Sequence, residues 1–429
     1  MNILHINTTD NKGGAAQAAY RLHTGLRRAG HSSSMFVARR HGNDPDTILF
    51  APPKDWRSRA RRILRRRKIE RGIGQYADSR PDGYVHFSSD QSQYNAGLVN
   101  QIPNCDVINL HWITRFVDYQ TFFSAVPMHR PVVWTLHDMN PFTGGCHYDQ
   151  GCGRYTEGCG VCPQLGSDDL ADLSHQIWER KQRIFDQFPT DRLHFVTPSK
   201  WLAEEVKRSP LIGRFPVTVI PNGLDTADFA PRDPALARDV LGVPRDARVI
   251  VFIAHNFSAR RKGFALLTQA LERLDNMSDL FLLSLGHYPS EAAALPAHLH
   301  LGYIEQDRLQ SLVYSAADII VIPSIQDNLP NTVLESIACG TPVVGFDVGG
   351  IPDMVRPGIT GLLAPAQDSE ALSAAIVELL YDPGRLAEMS ANCRRVAEEE
   401  YTLERQTKAY VRLYKALVGQ ATGLPLKSD

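Results

Sequence analysis

Short continuous apolar runs recur along this chain, each followed by a glycine- or proline-bearing turn and a helical stretch. That rhythm confines it to parallel sheets covered by helices on both faces. Residues 2–7 read as the first buried strand. The polar turn TTDNKGG follows, then a helical run from 15 to about 29 with Leu22 and Leu26 at i,i+4 spacing and Gly30 at its end. A strand at 33–37 completes the opening of a βαβ unit. Further strands are predicted at 107–110, 132–136, 194–197 and 217–220, with Ser199 capping a helix over 201–207. The Pro- and Asp-rich stretch 225–248 suits a domain junction. Beyond it the alternation restarts: strands at 248–254, 280–285, 318–322 and 342–346, helices at 264–274, 307–316 and 331–339, and a helical tail over 369–417.

With 429 residues the chain exceeds the roughly 100–200 of one ordinary domain, so two Rossmann-like domains are expected. Hydrophobic residues at 43% can fill two cores. The balance of 46 Lys plus Arg against 47 Asp plus Glu excludes a globally basic nucleic-acid coat. Seven Cys are too few for a disulfide-dense scaffold. The opening MNILHINTTDNKGG reads as a strand and not a signal peptide, and no run of about 18 apolar residues occurs. The expectation is a cytoplasmic enzyme, peripheral at the inner face of the plasma membrane.

Two segments break the rhythm. Residues 55–71 hold Arg57, Arg59, Arg61, Arg62, Arg65, Arg66, Arg67, Lys68 and Arg71 against Asp55 and Glu70, with Trp56, Ile63, Leu64 and Ile69 interspersed. This basic insertion reads either as a solvated helix or loop, or as a surface for anionic headgroups or a polyprenyl-phosphate acceptor. No nucleic-acid module surrounds it. The second break, a Cys-rich loop at 144–164, places Cys146, Cys152, Cys159 and Cys162 close together. Four thiolates there could hold a structural zinc ion, with His147 as an alternative ligand; two disulfides or reduced structural cysteines remain open. Cys105, Cys339 and Cys393 are isolated and read as packed.

Gly13 and Gly14, between first strand and first helix, allow a ligand close to a helix N-terminus, although neither GxGxxG nor GxxxxGK[ST] is present. Arg260, Arg261, Lys262 and Gly263 follow the first strand of the second half, where cations beside a helix start suit a diphosphate. Asp327 and Glu335 are separated by seven residues, and Asn328, Leu329, Pro330, Asn331 and Thr332 lead into the helix between them. Its first N–H groups can bind phosphate oxygens, Glu335 can accept from a ribose diol, and Asp327 can accept from sugar hydroxyls.

The stretch SIQDNLPNTVLESIACGTPVVGFDVGGIPDMV, residues 324–355, resembles the nucleotide-sugar signature of retaining glycosyltransferase family 4. The early GG, the His137–Asp138 pair, the PNG at 221–223 and the RKG at 261–263 stand in the family's order, and the HDMNPFTG segment before the cysteines is similar to colanic acid and exopolysaccharide transferases. Two departures stand out. Asp327 replaces the commoner Glu, and Asn256 stands where the family often places an Arg, so either Arg260 or Arg261 compensates or Lys262 carries more of the diphosphate charge.

The resemblance implies the α/β GT-B fold, with two Rossmann-like domains facing a central cleft and a C-terminal helix crossing back to the first domain. The domains fall at 1–225 for acceptor and 226–400 for donor, with helix and tail at 401–429. It also implies hexosyl transfer, with retention, from a UDP-, GDP- or ADP-sugar to a lipid-linked oligosaccharide, with no cofactor required. Arg261 and Lys262 would steady the leaving diphosphate together with Asn256 and the amides from Asn328 to Thr332. His137 would hydrogen-bond the donor sugar, and Asp138 would orient His137 or bind acceptor; His111 and Trp112 either line the acceptor cleft or pack. A nucleotide-sugar epimerase and a noncatalytic carbohydrate-binding relative are the alternatives.

Overall fold

A computed structural model describes residues 1–84, 86–94, 97–274, 277–287 and 297–422. Residues 423–429 of the helix and tail expected at 401–429 therefore lie outside the described residues. The chain forms two compact units, one of Met1–Pro221 with the segment from Gln406 onward, the other of Asn222–Arg405.

The first unit carries a seven-stranded sheet of β1 (Asn2–Thr9), β2 (Ser32–Arg39), β3 (Thr47–Leu49), β4 (Val107–Leu110), β5 (Val132–Thr135), β6 (Leu193–Thr197) and β7 (Val217–Val219), ordered β3-β2-β1-β4-β5-β6-β7. Every pairing is parallel. Its helices are α1 (Gly14–Arg28), α2 (Trp56–Gly74), α3 (Tyr119–Ala125), α4 (Leu173–Gln187) and α5 (Lys200–Arg208). Alternate strand residues fill two separate cores, as a period of two requires. Leu4, Ile6, Ile108, Leu110, Trp134 and Phe195 point to one face, with Phe122, Phe185 and Leu202 from α3, α4 and α5. Ile3, Val107, Val133 and Val196 point to the other, against Leu22 and Leu26 of α1.

The second unit repeats the plan. Its helices are α6 (Pro234–Leu241), α7 (Phe264–Glu272), α8 (Asp307–Ala316), α9 (Asn331–Ala338), α10 (Ser369–Leu380) and α11 (Pro383–Glu400). Strands β8 (Arg248–Asn256), β9 (Leu280–His287), β10 (His298–His300), β11 (Ile319–Ile322), β12 (Val343–Phe346) and β13 (Gly361–Ala364) order as β10-β9-β8-β11-β12-β13, again all parallel. Val249, Val251, Ile320 and Val343 face α8, α9 and α11, whereas Ile250, Phe252, Val321 and Val344 face α7 and α10. In each sheet the order runs outward both ways from its first strand, so the crevice at the carboxyl ends falls between β1 and β4 and between β8 and β11.

The last helix, α12 (Leu403–Thr422), belongs to the first unit from Gln406 on. Tyr410 and Tyr414, one turn apart, enter the core against Ile3, Val107 and Val133. The Tyr414 hydroxyl accepts from Asn109 Nδ2 at 2.7 Å, and the Tyr410 hydroxyl meets Thr135 Oγ1 at 3.0 Å. Removing the Tyr414 hydroxyl strands a buried amide donor. Tyr414→Phe is therefore expected to lose about 1–3 kcal/mol, read as a lower urea midpoint.

Candidate functional site

At the β8–β11 crevice two glycines set the geometry. Gly263 has φ 70°, and a Cβ there would stand 1.7 Å from the Pro323 carbonyl oxygen, so only glycine lets the Arg260–Lys262 turn lie against the end of β11. The Ile325 N–H then donates to the Arg261 carbonyl at 2.8 Å. This brings Lys262 Nζ to 2.5 Å and Arg261 Nη1 to 3.2 Å from the same Asp327 oxygen. Gly349, at φ 57°, makes room from the far side: a Cβ would meet the Asp327 carbonyl oxygen at 2.0 Å, and the Gly350 N–H donates to that oxygen at 3.0 Å.

Burial alone would raise the Asp327 carboxyl, but the charges of Lys262 and then Arg261 outweigh it and hold the group at about 2. Lys262 is lowered from its usual value because it is buried; Asp327 pulls it up, and the like charge of Arg261 opposes that pull. Two cations meet at one carboxylate oxygen. Asp327 is thus the counter-ion of the cationic pair, a role beyond the sugar contact expected for it.

Asn331 opens α9 behind Pro330, whose side chain supplies no cap. The positive end of the helix dipole lies there. Leu329 is buried in the core below, Thr332 is the next residue of the helix, and the Asn328 N–H donates to Asp327 Oδ1 at 3.0 Å. One turn on, Glu335 is buried and accepts from the Tyr314 hydroxyl at 2.9 Å. Asn256 ends β8 and its Oδ1 accepts from the Ser258 N–H at 2.9 Å, so it shapes the turn. Of the two arginines beside it, Arg261 reaches Asp327, while Arg260 is exposed.

In the first unit, Gly13 (φ 95°) leads into α1, whose first residue is Gly14. At the ends of β4 and β5, His111 Nδ1 lies 3.0 Å from His137 Nε2. Asp138 is turned away from His137: its Oδ2 meets His147 Nδ1 at 2.6 Å and accepts from Trp112 Nε1 at 3.0 Å, and its Oδ1 accepts from the Asn140 N–H at 2.9 Å. Asp138 therefore steadies the start of the Cys-rich loop. His111 is buried, and burial lowers His137 to about 4, so it is neutral at pH 7.

The Cys-rich loop corrects an expectation. Cys146, Cys152, Cys159 and Cys162 border one cavity of about 20 Å³, and all seven cysteines of the chain are free thiols, so the two disulfides are not formed. Among the described residues no three His, Cys, Asp or Glu side chains are grouped to hold a metal ion, so the zinc expectation has no support in the ligand geometry. His147 is committed elsewhere, with Nδ1 at Asp138 and Nε2 2.9 Å from Ser88 Oγ. Burial pushes the Cys159 thiol up to about 12. The loop is held by buried polar groups: Lys181 Nζ donates to the carbonyls of Asn140 at 2.5 Å and Thr143 at 2.9 Å, and Asp172 accepts from the Cys162 N–H at 2.9 Å. Sequence reading missed Lys181, whose helix α4 carries no motif.

Comparison with known proteins places the chain among the glycosyltransferases. Residues 12–228 match the model for Glycosyltransferase Family 4, and residues 247–382 match that for Glycosyl transferases group 1. The chain belongs to glycosyltransferase family 4. It is similar to a D-inositol 3-phosphate glycosyltransferase of Thermobispora bispora, 35% identical over 42% of this chain and 46% of that one, so the match spans about half the length of that relative. It is also similar to the putative colanic acid biosynthesis glycosyl transferase WcaC of Escherichia coli, 25% identical over 80% and 82%. Among solved structures, sucrose-phosphate synthase from Thermosynechococcus elongatus aligns with a TM-score of 0.67 at 20% identity, covering 98% of this chain and 100% of that one. Anabaena Alr3699/HepE in complex with UDP and glucose aligns at 0.64 and 16%, covering 96% and 99%. The fold they share is GT-B, built of two Rossmann-like domains.

The Asp327 pairing has a pH signature. Its folded value lies below the usual 3.8, so its stabilisation is complete above about pH 5 and is lost as pH falls through about 2. Wild type should lose about 2 kcal/mol over that window relative to Asp327→Asn, measured by urea unfolding at stepped pH.

Proposed function

We propose that this protein transfers a hexosyl group, with retention of anomeric configuration, from a nucleoside diphosphate sugar to a lipid-linked saccharide in exopolysaccharide, capsule or O-antigen synthesis. The observation that carries this reading is the Asp327 carboxylate shared by Lys262 and Arg261 beside the start of α9. Breaking the anomeric C–O bond puts negative charge on the departing diphosphate. Cations and helix-end amides held in place before the reaction stabilise that charge more in the transition state than in the ground state. Glu335, held by Tyr314, would accept from the ribose diol. His137, neutral at pH 7, would hydrogen-bond the sugar being transferred. The chemistry needs no bound cofactor: side-chain cations take the part that a metal ion has elsewhere.

The donor is a UDP-, GDP- or ADP-sugar; the UDP and glucose bound by HepE favour trying UDP-glucose first. The colanic acid role in the name of WcaC supports an exopolysaccharide acceptor. Helix α2 supports a membrane-borne one. It is capped by Asp55, none of its residues is buried, and Trp56 and Leu64 are 74% and 66% exposed among its arginines. Such a surface suits anionic headgroups at the inner face of the plasma membrane. Among the described residues no helix is long and apolar enough to cross a membrane.

Thermal shift with the three classes of nucleotide sugar should show selective stabilisation by one. Glu335→Ala should weaken that donor's binding about tenfold, the worth of a charged hydrogen bond, whereas Lys262→Ala should chiefly lower kcat. Unchanged kinetics in both variants would remove the site assignment. In co-sedimentation, vesicles of anionic lipid should retain the protein and neutral vesicles should not; Arg61→Glu/Arg67→Glu should lower the vesicle partition coefficient by at least about thirtyfold, since about 1 kcal/mol is lost for each of the two arginine charges removed.

A further inference from the structure

Strand periodicity puts three histidines on one face of the first sheet. Residues 3 and 5 of β1, 107 and 109 of β4 with 111 just beyond, and 133 and 135 of β5 with 137 just beyond all turn toward α1 and α12. His5 is in register with Asn109, and Asn109 with Val133. His111 and His137 therefore stand two and four residues further toward the carboxyl ends, and the three rings climb as a staircase. The same atoms meet at each step: His5 Nδ1 lies 2.9 Å from His111 Nε2, and His111 Nδ1 lies 3.0 Å from His137 Nε2. His23 approaches His5 edge-on at 6.1 Å, but its nitrogens turn to Ser33 and Asp44, so the ladder ends at His5.

Burial keeps all three rings neutral at pH 7. A neutral imidazole has one N–H and one lone pair, so one choice of tautomer propagates through every step. The lower end decides the choice. His5 Nε2 is buried with no hydrogen-bond partner. Protons on Nε2 throughout would make that atom an orphaned donor; protons on Nδ1 leave only an unused lone pair, the less unusual state for a buried polar atom. We propose that the His5–His111–His137 ladder locks His137 in its Nδ1–H tautomer, with His5 and His111 as positioning residues for the transfer reaction. This rests on the transferase reading above and sharpens it. With His137 Nε2 accepting from His111, the one proton of the neutral ring sits on Nδ1, so the ring has no lone pair left to act as the base that takes the acceptor's proton.

Histidine-selective ¹⁵N labelling of the full chain reads the tautomer of each ring directly, independent of activity and of any variant's folding. Protonation at Nδ1 of His5, His111 and His137 is expected; Nε2–H at His137 would overturn the proposal. In kinetics, His5→Asn keeps an amide N–H near the Nδ1 position and should preserve kcat. His5→Leu should lower kcat about tenfold, with KM for the nucleotide sugar unchanged, the effect of one misdirected hydrogen bond. Equal loss in both variants, or no loss in His5→Leu, would overturn it. A wild-type chain that transfers sugar from no nucleotide donor would sink the transferase reading alone, because the tautomer spectrum still decides the ladder.

Discussion

A parallel strand cannot turn straight back onto its neighbour; every connection must cross the sheet, and here helices make most of the crossings. Both faces of each sheet are thereby sealed, and what remains for chemistry is the row of turns at the carboxyl ends. The ion pairing at Asp327 and the junction of His111 with His137 both lie in such turns. The apolar layers hold those turns still. Val321 and Ile322 beneath Pro323, and Phe252 and Ala254 before the Arg260–Lys262 turn, are buried. The charge constellation is therefore set on rigid supports, as electrostatic preorganisation demands.

The central strands were legible because they are continuous apolar runs, and most helices because their apolar positions repeat with the helical period. The edge strands β3 and β10, three residues each, gave no such signal, and His298–Leu299–His300 looks polar in isolation. Helix α4 was lost behind the cysteines that precede it, although Ile177, Lys181, Ile184 and Phe185 share its buried side. At the site, Lys262 and Asp327 were legible from residue type and position, but their mutual contact was not. It depends on two close approaches, of Gly263 to Pro323 and of Gly349 to Asp327, that join residues far apart in the chain. His5 lay deeper still, because a histidine within a strand means little until register sets it under His111.

In the Cys-rich loop the interaction that can be named is a buried charge. Four clustered cysteines invite a metal or a disulfide, yet the side chain that crosses beneath the loop is the fully buried Lys181, with its ammonium on two backbone carbonyls and 5.5 Å from the Tyr119 ring. Burial lowers this amine to about 8, which still leaves it charged at pH 7. A long, flexible cation can reach two carbonyls of an irregular loop at once.

The placement of Tyr410 and Tyr414 bears on how the chain is made. Residues 1–221 leave the ribosome long before these two rings, with the whole of Asn222–Arg405 synthesised in between. Until then Ile3, Val107 and Val133 lack part of their cover, and the nascent first unit presents a sticky apolar strip to its surroundings. Completion of the earliest-made unit thus waits on some of the last residues translated, an interval in which a chaperone has the most to do.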